Sequence, residues 1–188
     1  AVEAVGSSVL GAPRRRGIAS LTAVDPHHLM GAARLARHAP SEALLPNGEA
    51  IPVRYVGASR GLDVAVFATD ETLTPIRWSD QVRVGNLVLP IAYGPRATLG
   101  VVSRIGGPWT TPSGEQVARF LHVDGSLPVG FAGGPLVGPT GALGLNVRGL
   151  IRGGTTLPGA TVQDALQRVL EHGDSEPGFL GIGGATAT

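Results

Sequence analysis

The sequence contains no cysteine and no lysine, and no apolar run approaches the length of a membrane span. Without cysteine, disulfides, thiolate nucleophiles and cysteine-ligated metals are excluded. The compartment stays open, because an exported protein need not use disulfides. A spanning helix needs about 18 apolar residues in a row. All 15 basic residues are arginine, set against 14 acidic ones for a formal net charge of +1. That balance gives no global electrostatic case for nucleic acid or an anionic membrane, and the missing lysine reads as genomic base composition. There is no internal repeat of 20–50 residues and no low-complexity tract. The chain starts at Ala1 without a methionine and runs straight into strand-like sequence. It is therefore expected to be a piece of a longer protein whose remainder carries the targeting signal or anchor.

What is present is punctuation. The 29 glycines and 15 prolines fall every few residues, in a chain that is 43% hydrophobic and 15% charged. This suits many short strands joined by turns. Segments rich in Val, Ile and Leu predict strands over 5–10, 17–24, 51–56, 63–68, 81–92, 98–104, 117–123, 135–137 and 142–147. Two helices are expected. The first covers 26–38, with Asp25 as N-cap and Pro26 at the first helical position. The second covers 162–172, with Leu166, Val169 and Leu170 as its apolar face, a capping box of Thr161 and Asp164, and Gly173 as terminator. The expected fold class is all-β with one C-terminal helix.

Four segments carry a resemblance. Residues 81–106 (QVRVGNLVLPIAYGPRATLGVVSRIG) hold an "R-V-G-N" turn, an apolar strand, a Gly-Pro turn and "G-V-V-S". Residues 47–69 (NGEAIPVRYVGASRGLDVAVFAT) hold a polar-Gly turn, then "V-G", then "D-V-A-V". Residues 122–147 (HVDGSLPVGFAGGPLVGPTGALGLNV) centre on "GFAGGPL", and residues 155–182 contain "LPGATVQDALQRVLEHG" and "PGFLGI". In this order they resemble trypsin-like serine proteases of the HtrA/DegP family, the last segment resembling the closing helix and the first strand of a PDZ domain. The resemblance implies a chymotrypsin/trypsin-like double β-barrel over residues 1–175. Its barrels would be approximately 1–79 and 80–160, its helix 162–172, and residues 176–188 would open a linker and a truncated PDZ domain.

Family hydrolysis needs a serine nucleophile, a histidine base, an orienting aspartate and two oxyanion N–H groups. The resemblance puts Asp63 at the aspartate position. It puts Ala132 at the serine position, since "GFAGGPL" stands where the family has "GNSGGPL". Alanine has no atom that can attack a carbonyl, and the next hydroxyl before it is Ser126, six residues away. The N–H groups of Gly130 and Ala132 match the oxyanion donors, with Phe131 replacing a small polar residue; the loop reads as a plain turn now that nothing needs it poised. Matching "SLTAVD" to the family's "x-L-T-A-A-H" puts Asp25 at the base position; a shift of two or three residues puts His27 or His28 there instead. A carboxylate is a poor base for a hydroxyl and adds like charge beside Asp63, and the favoured reading of Asp25 is the helix cap. Without its imidazole, Asp63 needs new donors, such as backbone N–H groups.

No cofactor is expected. His27 and His28 are weak metal candidates, because adjacent helical residues point about 100° apart, and a solvated pair is preferred. His122 is expected to bond locally, and Arg14, Arg15 and Arg16 to form a solvated hairpin tip. Trp78 is expected between the barrels, and Trp109 in an exposed loop. The leading function is a catalytically inactive binding, scaffold or regulatory module for a peptide or protein, including an active HtrA-type protease. The resemblance implies a homo-trimer and a periplasmic or otherwise extracytoplasmic setting. Two alternatives stay open: an active endopeptidase whose serine was exchanged for alanine, and a metal-binding protein on the same scaffold.

Overall fold

The computed structural model describes residues 5–14, 17–94, 96–125 and 127–174. The expected turn residues Arg15 and Arg16, the hydroxyl of Ser126 and the segment 176–188 lie outside them.

The first half of the chain makes one antiparallel sheet of seven strands. These are β1 (Val9–Pro13), β2 (Ile18–Ala23), β3 (His28–Ala32), β4 (Glu42–Leu44), β5 (Ala50–Pro52), β6 (Arg54–Ser59) and β7 (Val64–Ala68), in the order β5-β4-β1-β2-β3-β7-β6. The second half makes another sheet: β8 (Leu87–Ala92), β9 (Arg96–Ala97), β10 (Gly100–Gly106), β13 (Phe120–Asp124), β14 (Pro135–Val137), β15 (Ala142–Val147) and β16 (Thr155–Pro158). Between β10 and β13 in sequence lie the short pair β11 (Trp109–Thr110) and β12 (Gln116–Val117). Helix α1 (Gly159–His172) closes the described chain. This is the expected all-β class with a C-terminal helix.

Each sheet encloses its own apolar cluster, one around Leu10, Leu21, Leu29 and Phe67, the other around Val88, Val102, Leu121 and Leu136. A third cluster joins the halves, where Met30, Val64 and Val66 meet Leu145, Leu157 and the helix residues Val162, Leu166 and Val169. Trp78 packs half-buried at this junction, as expected, and bridges to Ala142. Trp109 is half-buried rather than exposed, edge-on to Phe120 at 6.0 Å.

Three local expectations are corrected. The helix expected over 26–38 is instead β3 followed by a 3-10 turn, Ala33–His38. Leu-Met-Gly-Ala-Ala has helical propensity, but β3 sits between β2 and β7 with Leu29 to Ala32 all buried, and pairing on both edges overrides propensity. Asp25 accordingly caps no helix. Its Oδ1 accepts the N–H groups of His27 (2.8 Å) and His28 (2.7 Å), holding the β2–β3 turn.

The capping box of Thr161 does not form either. The helix starts at Gly159, two residues earlier, and Thr161 Oγ1 accepts the Ala118 N–H at 3.0 Å instead. Leu170 is 39% exposed. The buried face is Val162, Ala165, Leu166 and Val169, and at 100° per residue Leu170 lies roughly 90° from its centre. Gly173 terminates the helix as expected, its N–H donating to Val169 O at 2.8 Å.

Candidate functional site

Asp63 stands where the turn Arg60–Leu62 enters β7, with φ 56° and ψ 39°. Aspartate tolerates this left-handed conformation better than most residues. Its Oδ2 accepts N–H groups from Arg148 (3.1 Å) and Gly149 (2.7 Å), just past β15. The carboxylate of the first sheet is thus bonded to backbone of the second. Asp63 thus has its backbone donors across the seam, far along the chain from its own turn.

Neither Asp25, His27 nor His28 comes near it. β3 runs antiparallel to β7 with His28 opposite Ala68 and Ala32 opposite Val64, so His28 lies about 13 Å along the strand from the end beside Asp63. Asp25 and His28 face each other instead, with Nδ1 of the ring 2.7 Å from Oδ2 of the carboxylate. At the Asp63 end of β3, the Ala33 N–H donates to Asp63 O at 3.1 Å, and Arg34 follows. Arg34 is the residue the sequence reading missed. The signal was available one strand later: Leu29 to Arg34 reads L-M-G-A-A-R, with both alanines of "x-L-T-A-A-H" in place.

Arg34 is half-buried. Burial and the charge of Arg14 push its guanidinium below the usual range; Asp63 acts in the opposite sense, and Arg148 adds a further downward push.

The loop Gly130–Gly134 is held from both sides. Ser20 Oγ donates to Gly130 O and Thr22 Oγ1 to Gly133 O, each at 2.8 Å, so β2 of the first sheet grips the loop of the second. Gly133 N–H donates to Asn146 O at 2.8 Å and Gly134 N–H to Phe131 O at 3.0 Å. Gly130 and Gly133 have φ of 95° and 89°, a region open to glycine at little cost. A Cβ on Gly133 would stand 2.2 Å from Ser20 O. No described acceptor takes the N–H of Gly130 or Ala132. Ala132 is 0% exposed and Phe131 is buried beneath Arg96, whose guanidinium carbon lies 5.5 Å from the ring centre.

Between this loop and the β1–β2 hairpin runs a hollow of about 460 Å³, lined by Arg14, Arg34, Arg96, Val129 and Gly130. Among the described residues no three His, Cys, Asp or Glu side chains gather as a metal would need. His122 bonds locally, Nδ1 to Ser103 Oγ at 2.8 Å.

Two seven-stranded antiparallel sheets, a glycine-braced loop gripped between them and an aspartate at their seam define a trypsin-like scaffold. Residues 8–143 match the model of the trypsin-like peptidase domain family, and the chain belongs to that family. Among curated proteins it is 28% identical over 155 residues to a probable periplasmic serine protease, do/HhoA-like, of Haemophilus influenzae, covering 74% of this chain and 33% of that protein. It is 29% identical over 155 residues to the periplasmic serine endoprotease DegP of Escherichia coli, covering 74% and 32%. It is also 25% identical over 190 residues to the putative serine protease HhoB of Synechocystis, covering 94% and 46%. The chain thus spans about a third of the length of the first of these relatives. The solved structure of the HtrA-type protease AlgW, in a variant form with a tripeptide, superimposes with a TM-score of 0.72 at 21% identity, over 91% of this chain and 62% of that one. The fold is therefore the trypsin-like double β-barrel with a C-terminal helix.

Proposed function

We propose that this HtrA-type, trypsin-like protease domain has no peptidase activity and works as a binding module for a peptide or protein. One observation carries the reading. The nucleophile position, Ala132, offers no hydroxyl and is sealed from solvent, while the side chain beside Asp63 at the base position is Arg34. A guanidinium cannot take a proton from a serine at neutral pH, and loss of the nucleophile alone costs orders of magnitude in rate. The alternative of an active protease with an exchanged serine needs an imidazole beside Asp63, and Arg34 speaks against it. The metal-binding alternative has no ligand cluster among the described residues to support it.

Residues 1–175 make up this domain on our reading, with barrels dividing near residues 79 and 80 and a linker to a PDZ domain opening at 176–188. The periplasmic names of its relatives support an extracytoplasmic setting. A second copy in a trimer, or an active protease of the same type, is a fitting partner.

The test is incubation of the full chain with unfolded casein and with a fluorophosphonate probe, read by intact mass. Neither turnover nor labelling is expected. Ala132→Ser alone stays unlabelled, whereas Ala132→Ser combined with Arg34→His gains labelling. Stoichiometric labelling of the parent, or of Ala132→Ser alone, would overturn the reading.

A further inference from the structure

We infer that the hollow between the β1–β2 hairpin and the Gly130–Gly134 loop is an anion site for the carboxylates of an extended acidic peptide. This rests on the binding-module reading and gives it a ligand class. Arg14, Arg34 and Arg96 line the hollow together with Gly130, and an adjoining hollow of about 810 Å³ shares Arg14 and Arg34. Among the described residues no acidic side chain lines the first; Glu42 lines the second. The ion pairs formed among the described residues involve other side chains: Arg168 with Glu115, His28 with Asp25 and His172 with Glu171. Asp63 attracts Arg34, but its Oδ2 already takes two backbone N–H groups.

A half-buried guanidinium kept beside two like charges, with Asp63 as its one opposing charge, is favoured further by an added anion. Burial and the fields of Arg14 and Arg148 act against the charged form of Arg34, and a bound anion opposes them. The groups are also pre-set. Arg96 is fixed by its Nε bond to Tyr93 O at 3.1 Å and by its place over Phe131, and its Nη2 lies against Gly130, 2.8 Å from where a Cβ would be. The planar guanidinium fork matches a carboxylate with two parallel bonds. The N–H of Gly130, without an acceptor among the described residues, adds a neutral donor on the lining. Val129 is 81% exposed and Ile18 40% exposed at the same hollow. Apolar side chains of a peptide fit that rim, whereas a sugar-phosphate backbone has nothing to place there.

The experiment uses the full chain, a fluorescein-labelled, C-terminally amidated decapeptide of alternating Glu and Val, and its counterpart with Gln for Glu. Anisotropy gives affinity, and thermal unfolding with and without inorganic phosphate reports the anion alone. The Glu peptide is expected to bind about tenfold tighter than the Gln peptide or better, and to lose about tenfold on Arg34→Gln or Arg96→Gln. Phosphate is expected to raise the unfolding midpoint of the parent and not that of Arg34→Gln. Should Arg34→Gln fail to fold, the exposed Arg96→Gln carries the comparison. Equal binding of both peptides, unchanged in the variants, overturns the anion site and leaves the peptide-binding reading standing. Arg34-dependent stabilisation by phosphate with no binding of either peptide overturns the peptide as occupant. No effect of any probe overturns the inference outright.

Discussion

Asp63 and Asp25 are both aspartates that bond two backbone N–H groups, yet they hold different things. Asp25 closes a turn within one hairpin, whereas Asp63 ties β7 to the backbone after β15 from a left-handed conformation. Asp63→Ala loses the tie and also places alanine at positive φ. It should cost about 2 kcal/mol or more, while Asp25→Ala should cost about 1 kcal/mol. Asp63→Asn keeps an acceptor oxygen and should fall below Asp63→Ala. Urea denaturation of the three variants beside the parent measures the order, and a costlier Asp25→Ala would mean that the turn, not the seam, is the tighter constraint.

Tyr55 offers a second residue-scale reading. Its hydroxyl donates to Asp174, and burial, followed by that bond and the aspartate's charge, pushes its pKa up to about 12 from 10.0. A folded-state pKa above the unfolded one stabilises the protein fully below the unfolded value and loses this as pH rises through the folded value. The stability difference between the parent and Tyr55→Phe should therefore be constant below about pH 10 and shrink towards pH 12. A flat difference across that window would show that the bond to Asp174 does not hold the proton.

At the scale of elements, the helix and one strand show what could be read from the sequence and what could not. The helix α1 was legible because its apolar period and Gly173 are local signals. Its exact face was not, because Leu170 is excluded by the direction from which the two sheets meet the helix. Leu166→Ala should accordingly cost about 2–5 kcal/mol as a buried truncation, and Leu170→Ala under about 1 kcal/mol; equal costs by denaturation would restore Leu170 to the packed face. β3 was illegible as a strand for the opposite reason. Pairing partners 10 and 34 residues away along the chain decide it, as Leu21 with Gly31 and Gly31 with Ala65 illustrate, whereas Asp25-Pro26 gives a local helix signal that the fold does not use. On the proposed reading, that one misreading displaces the base position by nine residues, from Asp25 to Arg34. The loop "GFAGGPL" and Asp63 were legible because their motifs are local and nearly intact.

For the whole molecule, the seam between the two halves is tied by side chains of one sheet bonded to a loop of the other. A loop that only turned the chain would not need Ser20 and Thr22 of the other sheet as donors, nor a glycine whose missing Cβ admits a carbonyl from across the seam. That contact suits the proposed binding groove, whose lining carries Arg14, Arg34 and Arg96. The closeness is measurable by comparing two glycines of almost the same conformation. Gly48 has φ 88° and open space around a built Cβ, so Gly48→Ala meets only the backbone penalty, about 1–2 kcal/mol. Gly133 has φ 89°, but its Cβ would stand 2.2 Å from Ser20 O and 3.0 Å from Gly31 Cα. Gly133→Ala should add an overpacking cost of about 1–3 kcal/mol to the same penalty. It should also weaken binding in the groove, because Gly130 and Arg96 move with the loop. Denaturation midpoints of the two variants give the difference directly, and equal losses would mean that the halves separate freely and that the loop is not held by the seam.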